Sequence, residues 1–220
     1  MLGQWGILTG PRGTFGPFDL ACGARGHDYL MELIEQPDRA RRLLDKAVDA
    51  AIWYGRQTAQ RVPRVDGGTI IPYFGMWLPG VVVGHVSVDY GIMISRSMLE
   101  EFLLPYEQRF ASAFPGAAYH LHNGGWHQID AVSRIPNLRI LEMTDDPSEP
   151  RSAGRYPELL DACGQTPVLI YPRPQEVYDN IDLLARHNVV ISMTAANLGA
   201  DDPVGVARDL VKLVRDRSKG

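Results

Sequence analysis

Cysteine is almost absent from this chain: Cys22 and Cys163 are the two in 220 residues. That excludes a disulfide framework and a cysteine-spaced metal site, and two reduced thiols of a cytosolic protein are the simplest reading. Lysine is nearly as scarce, with only Lys46, Lys212 and Lys219, so arginine carries almost all the positive charge. A net charge of −4 gives no reason to expect nucleic acid or an acidic membrane surface as a partner. No apolar run is long enough to span a bilayer, and the N-terminus lacks the basic-then-apolar build of a signal peptide, so a cytoplasmic location is expected. Gly10-Pro11-Arg12-Gly13 with Gly16 lacks both the dinucleotide fingerprint and the phosphate-loop lysine. No Gly-x-Ser-x-Gly elbow is present, and neither cysteine sits in a nucleophile motif, which argues against hydrolase-type covalent catalysis.

What is present is the composition of an ordinary soluble domain, 45% hydrophobic and 22% charged. Short apolar runs alternate with amphipathic segments. Strands are predicted at Trp5 to Leu8, Ala117 to His122, Leu138 to Met143, Pro167 to Tyr171 and Val189 to Met193. A helical region runs from about His27 to Arg61, divided at Pro37, with Leu43, Leu44, Ala47, Ala51 and Ile52 as its buried stripe. Further helices are predicted from Ser95 or Ser97 to about Phe114 (kinked or broken at Pro105), Trp126 to Ser133, Tyr156 to Cys163, Gln175 to Arg186 and Pro203 to Arg217. Residues from Gly67 to Gly91 are the least regular, and their aromatics suit either a lid or a surface loop with its own apolar cluster. About six strand–helix units result, in a single domain covering residues 1–220. Such alternation implies an α/β fold with a parallel sheet, either a (β/α) barrel or an open doubly wound sheet. A closed barrel has eight units, two more than are found here.

The most informative stretch is Tyr119-His120-Leu121-His122-Asn123-Gly124-Gly125. Alternate residues of a strand share a face, so His120 and His122 project together, and the glycines that follow let backbone approach a ligand. Two imidazoles at the C-terminal end of a strand can start a metal site or an acid/base pair. The competing reading is a hydrogen-bonded polar cluster without metal. Asp19, at the end of the first strand–loop unit, could orient an imidazole, bind substrate or cap the following helix. His127 is expected to face solvent, and Arg25 to pair with Asp28. Trp77 and Trp126 could wall a pocket, although core positions are commoner for such residues.

Several segments resemble, in order, the uroporphyrinogen decarboxylase-like superfamily. They are Phe15-Gly16-Pro17-Phe18-Asp19-Leu20-Ala21 with Arg25-Gly26; Leu33-Ile34-Glu35-Gln36-Pro37-Asp38; Ile94-Ser95-Arg96-Ser97-Met98-Leu99-Glu100-Glu101-Phe102-Leu103-Leu104-Pro105-Tyr106; and Tyr119 to Gly124. The resemblance implies a TIM-barrel-like fold with its active site at the C-terminal strand ends, here beginning about two units late and so incomplete. It places Asp89 at the barrel mouth as a second carboxylate candidate. The methyltransferase branch holds zinc with a His-x-Cys pair and a later cysteine. Here His120 matches the histidine, His122 replaces the cysteine, and Ile191-Ser192-Met193-Thr194-Ala195-Ala196-Asn197 offers no later one. Some zinc thiol methyltransferases place a glutamate beyond that pair, and Glu142, on the next strand, sits at a similar remove, so the resemblance implies a candidate metal set of His120, His122 and Glu142.

The resulting expectation is a metal-assisted methyltransferase-like enzyme acting on a small molecule with a corrinoid protein as partner. Its catalytic candidates are Asp19, Asp89 and His122, and zinc is the candidate metal. The rivals are a cofactor-independent decarboxylase of a tetrapyrrole polycarboxylate, weakened by the missing arginine-rich N-terminal motif, and a degenerate barrel that only binds a partner. Exposed strand edges of an incomplete barrel favour a homo-oligomer.

Overall fold

A computed structural model describes residues 13–194, 198 and 202–217. The predicted strand at Trp5 to Leu8 and the stretch Ala195 to Asn197 lie outside these residues. Six parallel strands form one sheet: β1 (Thr14–Phe15), β4 (Val83–Ser87), β5 (Ala117–His122), β6 (Leu138–Thr144), β7 (Val168–Ile170) and β8 (Val189–Ile191), adjacent in that order. Two short strands, β2 (Thr69–Ile71) and β3 (Met76–Leu78), form a separate antiparallel hairpin. The helices are α1 (Pro17–Arg25), α2 (Asp28–Glu35), α3 (Pro37–Arg61), α4 (Arg96–Met98), α5 (Leu104–Ser112), α6 (Ile129–Ser133), α7 (Tyr156–Cys163), α8 (Pro174–Leu184) and α9 (Pro203–Arg217).

The strand order never reverses, unlike that of a doubly wound sheet with its switch point. Alternation along the strands separates two cores. Ala117, Tyr119, Leu121, Leu141, Met143, Val168 and Ile170 pack with the helices. Ala118, Ile140 and Leu169 face the other way, where Ile71 and Phe74 from the hairpin segment cover them. An α/β sheet with its helical core on one face is compatible with part of a (β/α) barrel. The irregular stretch of Gly67 to Gly91 therefore supplies this hairpin and a central strand. Glycine and proline obscure both in the sequence.

Two bulges set the site. Val83 and Val86 of β4 pair with Ala117 and Tyr119 of β5, so β4 carries one extra residue between them. Both valines stay in the helical core, while the insertion lets His85 join Phe74 and His120 on the opposite face. On β6 the register shifts at Arg139, after which His120 lies beside Glu142 and His122 beside Thr144.

Pro37 starts α3 after Gln36 ends α2, as expected of proline at a first helical turn. Leu44, Ala47 and Ala51 of the predicted stripe are buried. Pro105 does not break its helix. The backbone widens into a π-helical turn over Leu99–Leu103, in which the Leu104 N–H reaches the Leu99 carbonyl. Ser95 caps this region by accepting from the Met98 N–H at 3.3 Å. Both cysteines are buried and free, and burial pushes the Cys163 thiol up to about 12. No described helix is long and apolar enough to cross a membrane.

One carboxyl group is wholly inside the helical layer. Glu107 on α5 accepts from the Phe18 N–H at 3.2 Å and the Tyr119 hydroxyl at 2.9 Å. A β-carbon at position 16 would fall 2.6 Å from this carboxyl, so Gly16 is what lets the chain entering α1 pass so close to it. Burial pushes Glu107 from the ordinary 4.5 to about 8, against those two donors. The folded protein then holds a proton that the unfolded chain releases. Its contribution to stability is complete below pH 4.5 and is lost as pH rises towards 8. Urea unfolding from pH 4.5 to 8.5 should show wild-type stability falling relative to Glu107→Gln, by on the order of 1 kcal/mol per pH unit, then levelling. Parallel curves for the two proteins would contradict a protonated Glu107.

Candidate metal centre

The strand exits of β4, β5 and β6 and the end of β7 bring a chain of polar side chains together. His120 is 3% exposed and Glu142 1%. His120 Nδ1 lies 2.5 Å from Glu142 Oε2, and the Tyr171 hydroxyl donates to Glu142 Oε1. His122 Nδ1 lies 2.8 Å from Asp146 Oδ1. The two Nε2 atoms face each other at 2.9 Å.

Carboxylates accept, so each Nδ1 donates, and in a neutral ring the Nε2 is then left as a lone pair. Two lone pairs at that separation repel. A proton or a cation between them removes the repulsion. Asp89 Oδ1 lies 3.9 Å from His120 Nε2 and 3.8 Å from His122 Nε2. Zinc–nitrogen bonds of about 2.0–2.1 Å in a tetrahedral set put donor atoms roughly 3.3 Å apart. The observed triangle of 2.9, 3.8 and 3.9 Å brackets that spacing. Two histidines and one carboxylate, each histidine backed by a second carboxylate, is the donor chemistry of a transition-metal site.

The surrounding structure holds these groups in place. Asn123 accepts from the Asp146 N–H at 2.9 Å and donates to Asp145 at 3.0 Å, which fixes the loop carrying Asp146. Asp145 also meets Arg151 at 3.1 Å and accepts from the Ser152 N–H at 2.7 Å. On the opposite rim Asp89 begins a 3₁₀ turn, Asp89–Met93. Asp19 secures it by accepting from the N–H groups of Asp89 at 2.7 Å and Tyr90 at 3.0 Å, and from the Ser87 hydroxyl at 3.1 Å. The amide of Gln128 donates to the Val88 carbonyl at 3.1 Å and accepts from the Ile92 N–H at 3.2 Å. His127 Nε2 sits 3.0 Å from the Ile94 carbonyl.

The expected residues are thus redistributed. His120, His122 and Asp89 converge. Glu142 reaches His120 on its Nδ1 side, away from the point between the two Nε2 atoms. Asp19 is buried under the rim and lies in α1 itself, so it positions Asp89 and neither orients an imidazole nor caps the helix. Burial pushes its carboxyl up to about 6, despite three donors, with the Asp89 charge adding to the shift. His127 faces the rim backbone instead of solvent. Arg25 meets Asp28 at 3.3 Å and Glu32 more closely, at 2.7 Å. Trp77 packs on Gly68 and donates to the Val65 carbonyl at 2.8 Å, within the hairpin region. Trp126 lies under the Arg155 guanidinium, 4.1 Å from its carbon.

Sequence reasoning missed Asp146, Tyr171 and His85. Tyr171 follows β7 in phase with Leu169, which the strand period could have revealed. Asp146 lies beyond the strand end, and His85 is placed by a bulge, so periodicity finds neither. His85 stacks on Tyr73 with ring centroids 4.0 Å apart and meets the His120 ring at 4.8 Å. Burial lowers its pKa to about 4 and keeps it neutral at neutral pH. A cleft of about 400 Å³ opens beside it, lined by Gly13, Thr14, Phe15, Pro72, Tyr73 and Ser87.

No family model matches the chain, and no curated protein matches it.

Replacing Asp19 by Ala strands three donors and should cost about 2–4 kcal/mol in urea unfolding. Hydrogen exchange at the Asp89 and Tyr90 amides should accelerate well beyond that of the β5 amides. Equal acceleration everywhere would mean that Asp19 supports the fold generally and not this rim.

Proposed function

We propose that this chain is a metal-dependent enzyme whose site lies at the C-terminal mouth of an incomplete, TIM-barrel-like (β/α) fold. The observation that carries this reading is the pair of opposed Nε2 atoms, each imidazole held from behind by a carboxylate, with Asp89 as the third donor. The proposed ligands are His120, His122 and Asp89. Glu142 and Asp146 orient the rings, Tyr171 orients Glu142, and Asp19 steadies the Asp89 turn. His122 and Asp89 are partly exposed, so a small-molecule substrate can reach this side of the cluster. Zinc suits such a mixed nitrogen–oxygen set and, when bound, lowers the pKa of a bound thiol so that a thiolate can accept a methyl group.

Methyl transfer with a corrinoid partner is the reaction we infer, within a uroporphyrinogen decarboxylase-like family. It is supported by the ordered segment resemblance, by helices packed on one face of the sheet, and by the position of the histidines at a strand's C-terminal end. In the described sheet β1 and β8 are edge strands, which supports self-association through strand edges.

Protein stripped with a chelator and reloaded with zinc should speed thiol-dependent demethylation of methylcobalamin, followed by absorbance. His122→Gln should lose most of that gain. Asp146→Asn should weaken zinc binding about 10–100-fold while leaving the fold intact by circular dichroism. A protein that takes up no zinc, or zinc-loaded and stripped proteins of equal rate, would overturn the proposal.

A further inference from the structure

His85 is an anomaly. Both of its ring nitrogens are shut off from solvent and neither has a hydrogen-bond partner among the described residues. An imidazole whose nitrogens are shut off from water and unpaired forfeits the hydrogen bonds that it would make in water. The ring is nonetheless held firmly. Tyr73 stacks on one face, Phe74 meets it edge-on with centroids 5.7 Å apart, and Gly13 packs so closely that a β-carbon there would fall 2.3 Å from Nδ1. The register shift in β4 delivers it to this face. A ligand atom from each of His85, His120 and Glu142 lies within 4.8 Å of the other two. This group is separate from that of Asp89, His120 and His122 and shares only His120 with it.

We propose that His85, His120 and Glu142 form a second, inner cation position, so that the His120 ring joins two ions. The donors are again two imidazoles and one carboxylate, a set that takes zinc or a similar divalent transition ion. Binding inside replaces the hydrogen between His120 Nδ1 and Glu142 Oε2. That proton leaves to solvent and the ring becomes the bridging imidazolate, so filling the inner position releases one proton from His120. Glu142 then has two roles. It orients His120 when only the outer ion is present, and it becomes a ligand when both are. Tyr171 donates to its other oxygen and holds it in either role. The His85 lone pair gains a partner, which accounts for a buried imidazole that the fold otherwise leaves unsatisfied.

The inference rests on the outer site for its bridging ion, and the two can be tested apart. Chelator-stripped protein is titrated with zinc alone by calorimetry, with bound metal counted by elemental analysis after desalting. Wild type should bind two equivalents. His85→Gln should bind one, and so should His85→Phe, which keeps the stack on Tyr73 and removes both donors. His122→Gln should also lose one, from the other position. Cobalt(II) spectra of wild type should show two environments, of which His85→Phe retains one. If the His85 variants bind as many equivalents as wild type with unchanged affinity, the inner position does not exist. One equivalent lost in His122→Gln but kept in both His85 variants would also overturn it, while sparing the outer site. One equivalent lost in the His85 variants but kept in His122→Gln would sustain His85 as a ligand and overturn the outer assignment. No bound zinc in wild type would remove both.

Discussion

Two imidazole nitrogens facing each other at 2.9 Å, each ring tied from behind to a carboxylate, are the constraint around which this molecule is arranged. Neither ring can turn away without giving up its carboxylate. Neither carboxylate can move freely, because Tyr171 holds Glu142 and Asn123 holds the backbone of Asp146. With both rings neutral and donating from Nδ1, their Nε2 lone pairs repel, and a positive charge between them relieves that repulsion. Preorganisation of this kind is what a metal centre requires of its protein, since ligands already in place need not be ordered on binding.

The fold serves this arrangement layer by layer. The helical face anchors the strands through an apolar core, and buried Glu107 links α5 to Tyr119 on the reverse side of the histidine strand. The opposite face is filled below the histidines by Ala118, Ile140 and Leu169 against the hairpin segment's Ile71 and Phe74, and is left polar only at the strand exits. Desolvation is thus graded along β5, from a wholly apolar base to the partly exposed His122 and Asp89. Asp19 carries the same logic to the rim, where its buried carboxyl accepts from two backbone N–H groups and a hydroxyl and so holds the backbone of the Asp89 turn.

Much of this was legible in the sequence because it follows from local period. β5 occupies the predicted residues Ala117 to His122, and α7 and α9 span Tyr156–Cys163 and Pro203–Arg217 as their patterns imply. The shared face of His120 and His122 followed from alternation alone, whereas Glu142 was reached through the family resemblance. What the sequence hid depends on departures from period. The bulge at β4 turns His85 inward, and the shift at Arg139 decides which face Glu142 takes. The short β1, Thr14–Phe15, lies where glycine and proline imply only a loop, and α1, which begins at Pro17, went unpredicted. Asp146 reaches His122 only because Asn123 draws its loop back, a tertiary contact that leaves no trace in spacing. Asp19 looked catalytic because acids at strand exits often are. Its burial and its three donors, visible only in three dimensions, give it a positioning role.

The central claim is that a cation belongs between the imidazoles. Anomalous diffraction at the zinc edge, from crystals grown with zinc, tests it most directly. A peak about 2.0–2.2 Å from both Nε2 atoms and from Asp89 Oδ1 is the expected result. Crystals holding zinc elsewhere or not at all, with the two rings still sharing a short contact, would show that a proton fills the gap and that the cluster is not a metal centre.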